Sequence, residues 1–411
     1  MKYLYIVLDG ATDADYKELD NKSPLGYANM KSLNSLASKS QLGRVEVVGK
    51  DIPPESDSAV MSLLGYDIKK YYPGRGIIEA LGAGFKPDGS IFFRANYATI
   101  NDKWDLIDTR AGRVSTDEAK KFSEDIKKIV IEGVEFEFKH TIGHRGIVKI
   151  KGKDLSDNVT GNHNGYKEIL GLKVSEALML KLPKKLKDFE ARDNSPNTKR
   201  TADLLNKYAK KLYEILSKNQ LNNGRTLPVN MLLLRGASST FTKLPSMKSM
   251  TGLNWAALVE MPVEEGICQL ADIKTIFVGK ETDTIPLKCR EYYEATINNI
   301  GKYDALYVHI KGADIPGHDG KLMEKVKVLK TIDKEFFTPL FKKIDLNNTF
   351  IAVTSDHSTE CAKESHTARP TALLVYTPGI KSDNISVFDE NHASKGSIGT
   401  IKGTEVIKKF I

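Results

Sequence analysis

Phe350-Ile351-Ala352-Val353-Thr354-Ser355-Asp356-His357-Ser358, running on to His366, is the stretch from which the fold can be read. Its apolar first half reads as a strand buried in a sheet. The Asp356-His357 pair then stands at the strand's carboxyl end, where open α/β sheets bind ligands. A carboxylate and an imidazole side by side on an irregular turn can point in different directions and reach two different cations. Taken alone, the pair suits a solvated turn equally well, so the decision falls to the rest of the chain.

Working outward, the pattern recurs. Tyr3-Leu4-Tyr5-Ile6-Val7-Leu8 is a continuous apolar, β-prone run closed by Asp9-Gly10, as expected of a strand covered on both faces. Ala305-Leu306-Tyr307-Val308-His309-Ile310 is another, followed by Asp314 and His318. Further strands are expected at 44–48, 228–234, 255–260, 274–278 and 373–376, with helices at 174–182, 201–216 and 322–340. Strands alternating with helices imply an α/β fold with a mostly parallel sheet flanked by helices. Between 84 and 171 the texture changes to a hairpin (90–100 and 104–109), a helix (116–129) and two strands (134–140 and 146–151). The organisation expected is therefore a core of residues 1–83 and 172–411 with a smaller inserted α+β domain at 84–171. The glycine-rich segment 74–84 reads as a short helix and hinge leading out of the core.

A chain of 411 residues is longer than one core usually holds. The net charge of +8, from 61 Lys plus Arg against 53 acids, is a mild excess without a dense basic block. It points to a cationic pocket for an anionic small molecule rather than to nucleic acid. Cys268, Cys289 and Cys361 are distant and odd in number, which fits reduced thiols in the cytoplasm. The apolar start is too short for a signal segment, and no apolar run approaches a membrane span.

Three expected strand ends carry aspartates, Asp9, Asp314 and Asp356, and three of the eight histidines, His318, His357 and His366, lie beside them. Carboxylates with imidazoles are a ligand set for divalent first-row metals, and this many fit two ions better than one. Two ions clamp both ends of a phosphoryl displacement. Ser56 follows two prolines and reads as the N-cap of a helix that Gly65 ends. A hydroxyl there lies among unpaired amide donors, a natural seat for phosphate, although an ordinary cap would look the same. Arg94, Arg110, Arg113, His144 and Arg145 in the insert offer forks for carboxylate or phosphate.

The chain further contains Val7-Leu8-Asp9-Gly10, Ser56-Asp57 through Leu64-Gly65-Tyr66, Arg75-Gly76 through Gly82-Ala83-Gly84, Asp108-Thr109-Arg110-Ala111-Gly112-Arg113, Gly143-His144-Arg145-Gly146, His309-Ile310-Lys311-Gly312 through His318-Asp319-Gly320, and Thr354-Ser355-Asp356-His357-Ser358 through His366. In this order, and over nearly the whole chain, the set resembles the archaeal type of 2,3-bisphosphoglycerate-independent phosphoglycerate mutase, within the alkaline phosphatase superfamily. The resemblance implies a cytoplasmic isomerase of glycolysis that interconverts 3-phosphoglycerate and 2-phosphoglycerate through a phosphoserine, without 2,3-bisphosphoglycerate. It implies one divalent metal on Asp314, His318 and His366. A second would sit on Asp9, Asp356 and His357 with Ser56. Manganese comes first, with magnesium, cobalt and zinc also suited. Ser56 becomes the nucleophile, with Asp57-Ser58-Ala59 as a rival register that would choose Ser58. Arg110, Arg113, His144 and Arg145 would hold the glycerate, while Lys311 or Arg75 would offset developing charge. The insert would close over the site to keep water from the phosphoserine. A two-metal phosphomonoesterase is the alternative. The resemblance loosens at Pro54-Glu55, where the family carries glycine before the serine, and at the segment from Asp157 to His163, longer and less acidic than the family's Asp-Pro-His.

Overall fold

The computed structural model describes residues 1–168, 175–177, 181–279 and 283–411. Contacts divide the chain into two compact units, Met1–Tyr72 with Lys243–Ile411, and Pro73–Thr242.

The first unit is built on an eight-stranded sheet. Five parallel strands run in the order Lys274–Phe277, Trp255–Val259, Ala305–Ile310, Lys2–Leu8, Thr349–Ser355. Thr371–Tyr376 follows, antiparallel to both its neighbours, then Gln41–Glu46 and the edge strand Gly399–Lys402. The sheet is thus mostly parallel, as expected. The central strand Lys2–Leu8 explains why. Its alternate residues Leu4, Ile6 and Leu8 enter one apolar core with Tyr292, Val326 and Leu329, which lie on the helices Ile285–Ile300 and Leu322–Ile332. On the opposite face Tyr5 donates to Leu63 O (3.2 Å) and packs on Phe410, so helices cover that side too. A strand apolar on both faces has no solvated side to offer, which is the condition for a parallel sheet between helix layers.

Register places the chemistry. Leu8 lies opposite Ile310 on one side and Ser355 on the other, and Asp9 N donates to Ile310 O at 3.0 Å. Three parallel strands therefore end at one level, and the residues that follow them emerge together.

In the second unit the fully buried strand Ile91–Ile100 pairs antiparallel with Arg145–Lys151, with Asp105–Asp108 and with Met231–Ser238. Val134–His140 and Lys128–Ile131 extend that sheet. Helices Thr116–Asp125 and Pro196–Leu216 bury Phe122, Leu205, Tyr208 and Leu212 against it.

The units depart from the expected boundaries at 83/84 and 171/172. The apolar run at 228–234 belongs to the second sheet, paired with Ile91–Ile100, because its antiparallel partner there is equally apolar. The helix Arg75–Gly82 also belongs to this unit rather than forming a hinge out of the core. A Cβ on Gly76 would sit 2.1 Å from Phe92 O, so only glycine lets the helix approach the strand so closely. The helix expected over 174–182 falls mostly outside the described residues; the part described, Ser175–Ala177, is a short strand paired with Tyr166–Glu168. No helix among the described residues is long and apolar enough to cross a membrane, and all three cysteines are free and buried.

Candidate functional site

Asp9 follows the central strand, Asp356-His357 follow its neighbour Thr349–Ser355, and Asp314 and His318 begin and end a five-residue helix just beyond Ala305–Ile310. His366 lies on the short strand Ser365–Thr367, paired with Ser358–Glu360. The structure brings all six residues together in the first unit.

Two groupings of donor atoms stand out, and they overlap, since Asp9, Asp314 and His357 also offer ligand atoms within 4.8 Å of one another. In the first, Asp314 Oδ1 lies 3.4 Å from His318 Nε2 and 3.4 Å from His366 Nε2, and the two imidazole nitrogens are 3.2 Å apart. In the second, His357 Nε2 lies 3.4 Å from Asp9 Oδ1 and 3.3 Å from Asp356 Oδ2. These separations match those between neighbouring ligands on one tetrahedral first-row cation, about 3.3 Å for bonds of about 2.0 Å. Ring orientation agrees. His366 Nδ1 faces Pro54 O at 2.8 Å, His318 Nδ1 faces Glu364 O at 3.0 Å, and His357 Nδ1 faces Thr359 Oγ1 at 3.0 Å. With the Nδ1–H groups donated outward, each Nε2 presents a lone pair to its group. Two lone pairs 3.2 Å apart repel unless a cation lies between them. Asp9 Oδ1 and Asp356 Oδ2 are, in addition, buried without a hydrogen bond. The residues fit divalent metal ions.

The electrostatics point the same way. Burial alone would lower the His357 pKa, but Asp356, Asp9 and Asp314 raise it, because the carboxylates favour a positive charge at that spot. Burial would raise Asp9, but the Lys311 ammonium, 2.7 Å away, holds it well below the usual carboxylate range. Asp314 is likewise opposed by burial and held low by His318, His366 and His357.

Ser56 Oγ lies 3.4 Å from His357 Nε2, beside the second group. Glu55, not Ser56, is the N-cap, and Ser56 is the first residue of the helix Ser56–Leu63. The helix thus begins one residue earlier than the cap pattern suggested: the proline pair restricts only its own residues and the one before it, so Ser56 is free to take helical geometry. Ser58, the rival, is fully buried and spends its hydroxyl on Glu55 O at 3.0 Å. Asp57 is buried and bonded to the Tyr72 hydroxyl and to Ser58 N.

Lys311 departs from the expected role. Its ammonium is bound by Asp9 and by Glu264 Oε1, both at 2.7 Å, and burial, which would lower its pKa, is outweighed by Asp9, Glu264 and Asp356. It neutralises Asp9, a candidate metal ligand, and Glu264 beside it. Arg75 lies in the second unit, buried, with its Nε 2.6 Å from Glu79 Oε1. Arg94 bonds the same oxygen. Burial would raise Glu79, but Arg94, Arg75 and Arg235 bring it down to about 2. Arg94 itself falls to about 10, through burial and the neighbouring Arg75, Arg145 and Arg235.

The expected substrate group is gathered here as well. The His144 pKa is pushed well below its ordinary value by burial and then by Arg145, Arg94, Arg110 and Arg113. Asp108 Oδ1 accepts from Arg110 N (2.7 Å) and Gly112 N (3.0 Å), shaping the loop that carries Arg110 and Arg113. Among the described residues, this unit thus gathers cations near a buried acid, Glu79. In the loosened segment, Asp157 accepts from Ser239, and Asn162 bridges Leu232 O and Leu234 N.

Several participants escape sequence reasoning: Thr359, Glu264, His309, Glu79 and Arg235. Thr359 Oγ1 donates to Asp314 Oδ1 at 2.7 Å while facing His357, which couples the two groups. The one signal available was an ionisable residue inside an apolar run, as at His309 and Arg235.

The chain has relatives among known proteins. Residues 37–222 match the model of a family described as 2,3-bisphosphoglycerate-independent phosphoglycerate mutase. The chain is 34% identical to the protein of that name from Metallosphaera sedula over 417 residues, 99% of this chain and 95% of that one. It is 32% identical to that of Methanopyrus kandleri over 99% of this chain and 94% of the other. Among solved structures, the PH0037 protein from Pyrococcus horikoshii superposes with a TM-score of 0.78 at 25% identity, covering 100% and 96% of the two chains. The cofactor-independent phosphoglycerate mutase from Thermoplasma acidophilum superposes at 0.59 and 28% identity, covering 100% and 98%.

Proposed function

The chain belongs to the 2,3-bisphosphoglycerate-independent phosphoglycerate mutase family, and from that premise we propose that it interconverts 3-phosphoglycerate and 2-phosphoglycerate with Ser56 as the carrier of the phosphoryl group. The observation that carries this reading is the seat of Ser56, one hydroxyl at a helix start 3.4 Å from the Nε2 of His357. Asp314, His318 and His366 would hold one divalent ion and Asp9, Asp356 and His357 the other, with manganese our first choice. Bound there, the ions would lower the pKa of the serine hydroxyl and offset charge on the phosphoryl oxygens.

Ser56 Oγ gives up its proton and attacks phosphorus in line; the Oγ–P bond forms, the bond from phosphorus to the C3 oxygen breaks, and that oxygen takes up a proton. The 2-hydroxyl of glycerate then gives up its proton and attacks the phosphoserine. The bond from the 2-oxygen to phosphorus forms as the Oγ–P bond breaks, and Ser56 Oγ takes a proton back. We assign recognition of the anionic glycerate to Arg110, Arg113, His144 and Arg145, since guanidinium forks match a carboxylate bidentately. His144 is held neutral by burial and then by its arginine neighbours, and can donate from one nitrogen while accepting at the other. Lys311 keeps Asp9 ionised. The buried free thiols fit a reducing compartment such as the cytoplasm.

The deciding experiment is an isomerisation assay on 3-phosphoglycerate without 2,3-bisphosphoglycerate, before chelation, after it, and after metal add-back. We expect 2-phosphoglycerate, its loss, and its return. Inorganic phosphate in place of 2-phosphoglycerate would overturn the mutase reading in favour of a phosphomonoesterase. Activity that survives complete chelation would overturn the metal assignment.

A further inference from the structure

His309 is fully buried, and neither of its ring nitrogens makes a hydrogen bond. An imidazole without partners in an apolar sheet costs free energy that a hydrophobic residue would not. Its surroundings are not apolar, however. Nε2 lies 3.3 Å from Asp356 Oδ2, which is itself buried without a hydrogen bond, as is Asp9 Oδ1. Asp9, His309 and Asp356 offer three ligand atoms within 4.8 Å of one another, all buried. On the other side of the ring, Nδ1 lies 3.5 Å from Glu264 Oε1. Glu264 is also fully buried and immobilised at both ends. Its Oε2 accepts from Met261 N at the start of the helix Pro262–Leu270, and its Oε1 binds Lys311.

Nδ1 therefore lies beside a fixed carboxylate, just beyond hydrogen-bond reach, and Nε2 lies beside the oxygens of Asp356 and Asp9. That is the arrangement in which a carboxylate orients a histidine toward a metal. One cation among these atoms would satisfy Asp9 Oδ1, Asp356 Oδ2 and His309 Nε2 at once. We propose that His309 is a further ligand of the ion held by Asp9, Asp356 and His357, with Glu264 as the positioning residue that sets its ring. The spacing supports a single centre: Asp356 Oδ2 is 3.3 Å from His309 Nε2 and 3.3 Å from His357 Nε2. This inference rests on the two-ion reading above and adds to it an asymmetry. One ion takes two imidazoles near the surface, from His318 and His366. The other takes two from the interior.

The test is cobalt(II) binding to chelator-stripped full-length protein, read by calorimetry and by visible absorption. Wild type is expected to bind two ions. His309→Gln should weaken one of them by roughly 100-fold and leave the other unchanged. Glu264→Gln should weaken the same ion by about tenfold. Should these variants fail to fold, cobalt-loaded wild type with ring-15N histidine answers the same question. Four metal-shifted imidazole N–H signals are expected, from His309, His318, His357 and His366. Two bound ions with only three such signals, or with His309→Gln unchanged in both affinities, overturns the role of His309 alone. No ion bound to wild type overturns the two-ion reading itself.

Discussion

The two units bury charge of opposite sign. In the first, Asp9, Asp314, Asp356, Glu55 and Glu264 gather, with the Lys311 ammonium held by Asp9 and Glu264. In the second, Arg75, Arg94 and Arg235 surround Glu79, and Arg94, Arg110, Arg113 and Arg145 crowd His144. Gathering like charges in a buried region is expensive. An acidic cluster therefore favours cations, and a basic one an anion. The lesson is that the ligand a region favours can be read from the sign of the charge gathered there. Divalent metals suit the first region, and a phosphorylated carboxylate suits the second.

The comparison can be broken at its most reactive point. If chemistry belongs to the acidic region, Ser56→Ala should cost at least about 10⁴-fold in kcat, and no 32P should remain on the protein after quenching with labelled substrate. Label retained by that variant would dismiss Ser56. The next largest effect tests the basic region as a structural ion cluster. Glu79→Gln leaves three arginines without their shared carboxylate and should destabilise the protein by about 3–5 kcal/mol. Its pH dependence has a definite sign. Glu79 titrates at about 2 when folded, against an ordinary 4.5. Its stabilisation is therefore present above pH 4.5 and lost as pH falls through 2. Urea unfolding of both proteins should show a gap that narrows steadily below pH 4.5, and a gap that stays constant would refute the linkage.

Smaller effects sharpen the division of labour. Arg145→Ala should raise KM for 3-phosphoglycerate about 10- to 100-fold and leave cation affinity as it was. A fall in kcat with KM unchanged would place Arg145 outside substrate recognition. Smallest is Thr359→Val, which removes the hydroxyl shared by Asp314 and His357. Cation affinity should drop about tenfold, and Thr359→Ser should restore it; calorimetry that shows no difference would separate the two ligand groups.

The acidic cluster was largely legible in the sequence, because its candidate ligands sit just past apolar strands and parallel register aligns those ends. Asp9 and Asp356 follow from that rule directly. The basic region was legible only in part. Arg110, Arg113, His144 and Arg145 were visible as cations, but Glu79 and Arg235 were not, because a charged residue in an apolar segment carries no sign of its partner. The boundaries were missed for a related reason. The apolar run before Arg235 reads the same in either sheet, and only pairing with Ile91–Ile100 assigns it.

The chain by itself determined the elements, the parallel core and the strand-end acids, since apolar periodicity and turn chemistry act over a few neighbouring residues. Tertiary structure alone decided which sheet received Met231–Ser238, that Lys311 serves Asp9 and Glu264, and that His309 faces Asp356 across the sheet. Those outcomes depend on distances between segments far apart in sequence, and a linear pattern carries no information about such distances until the strands have paired.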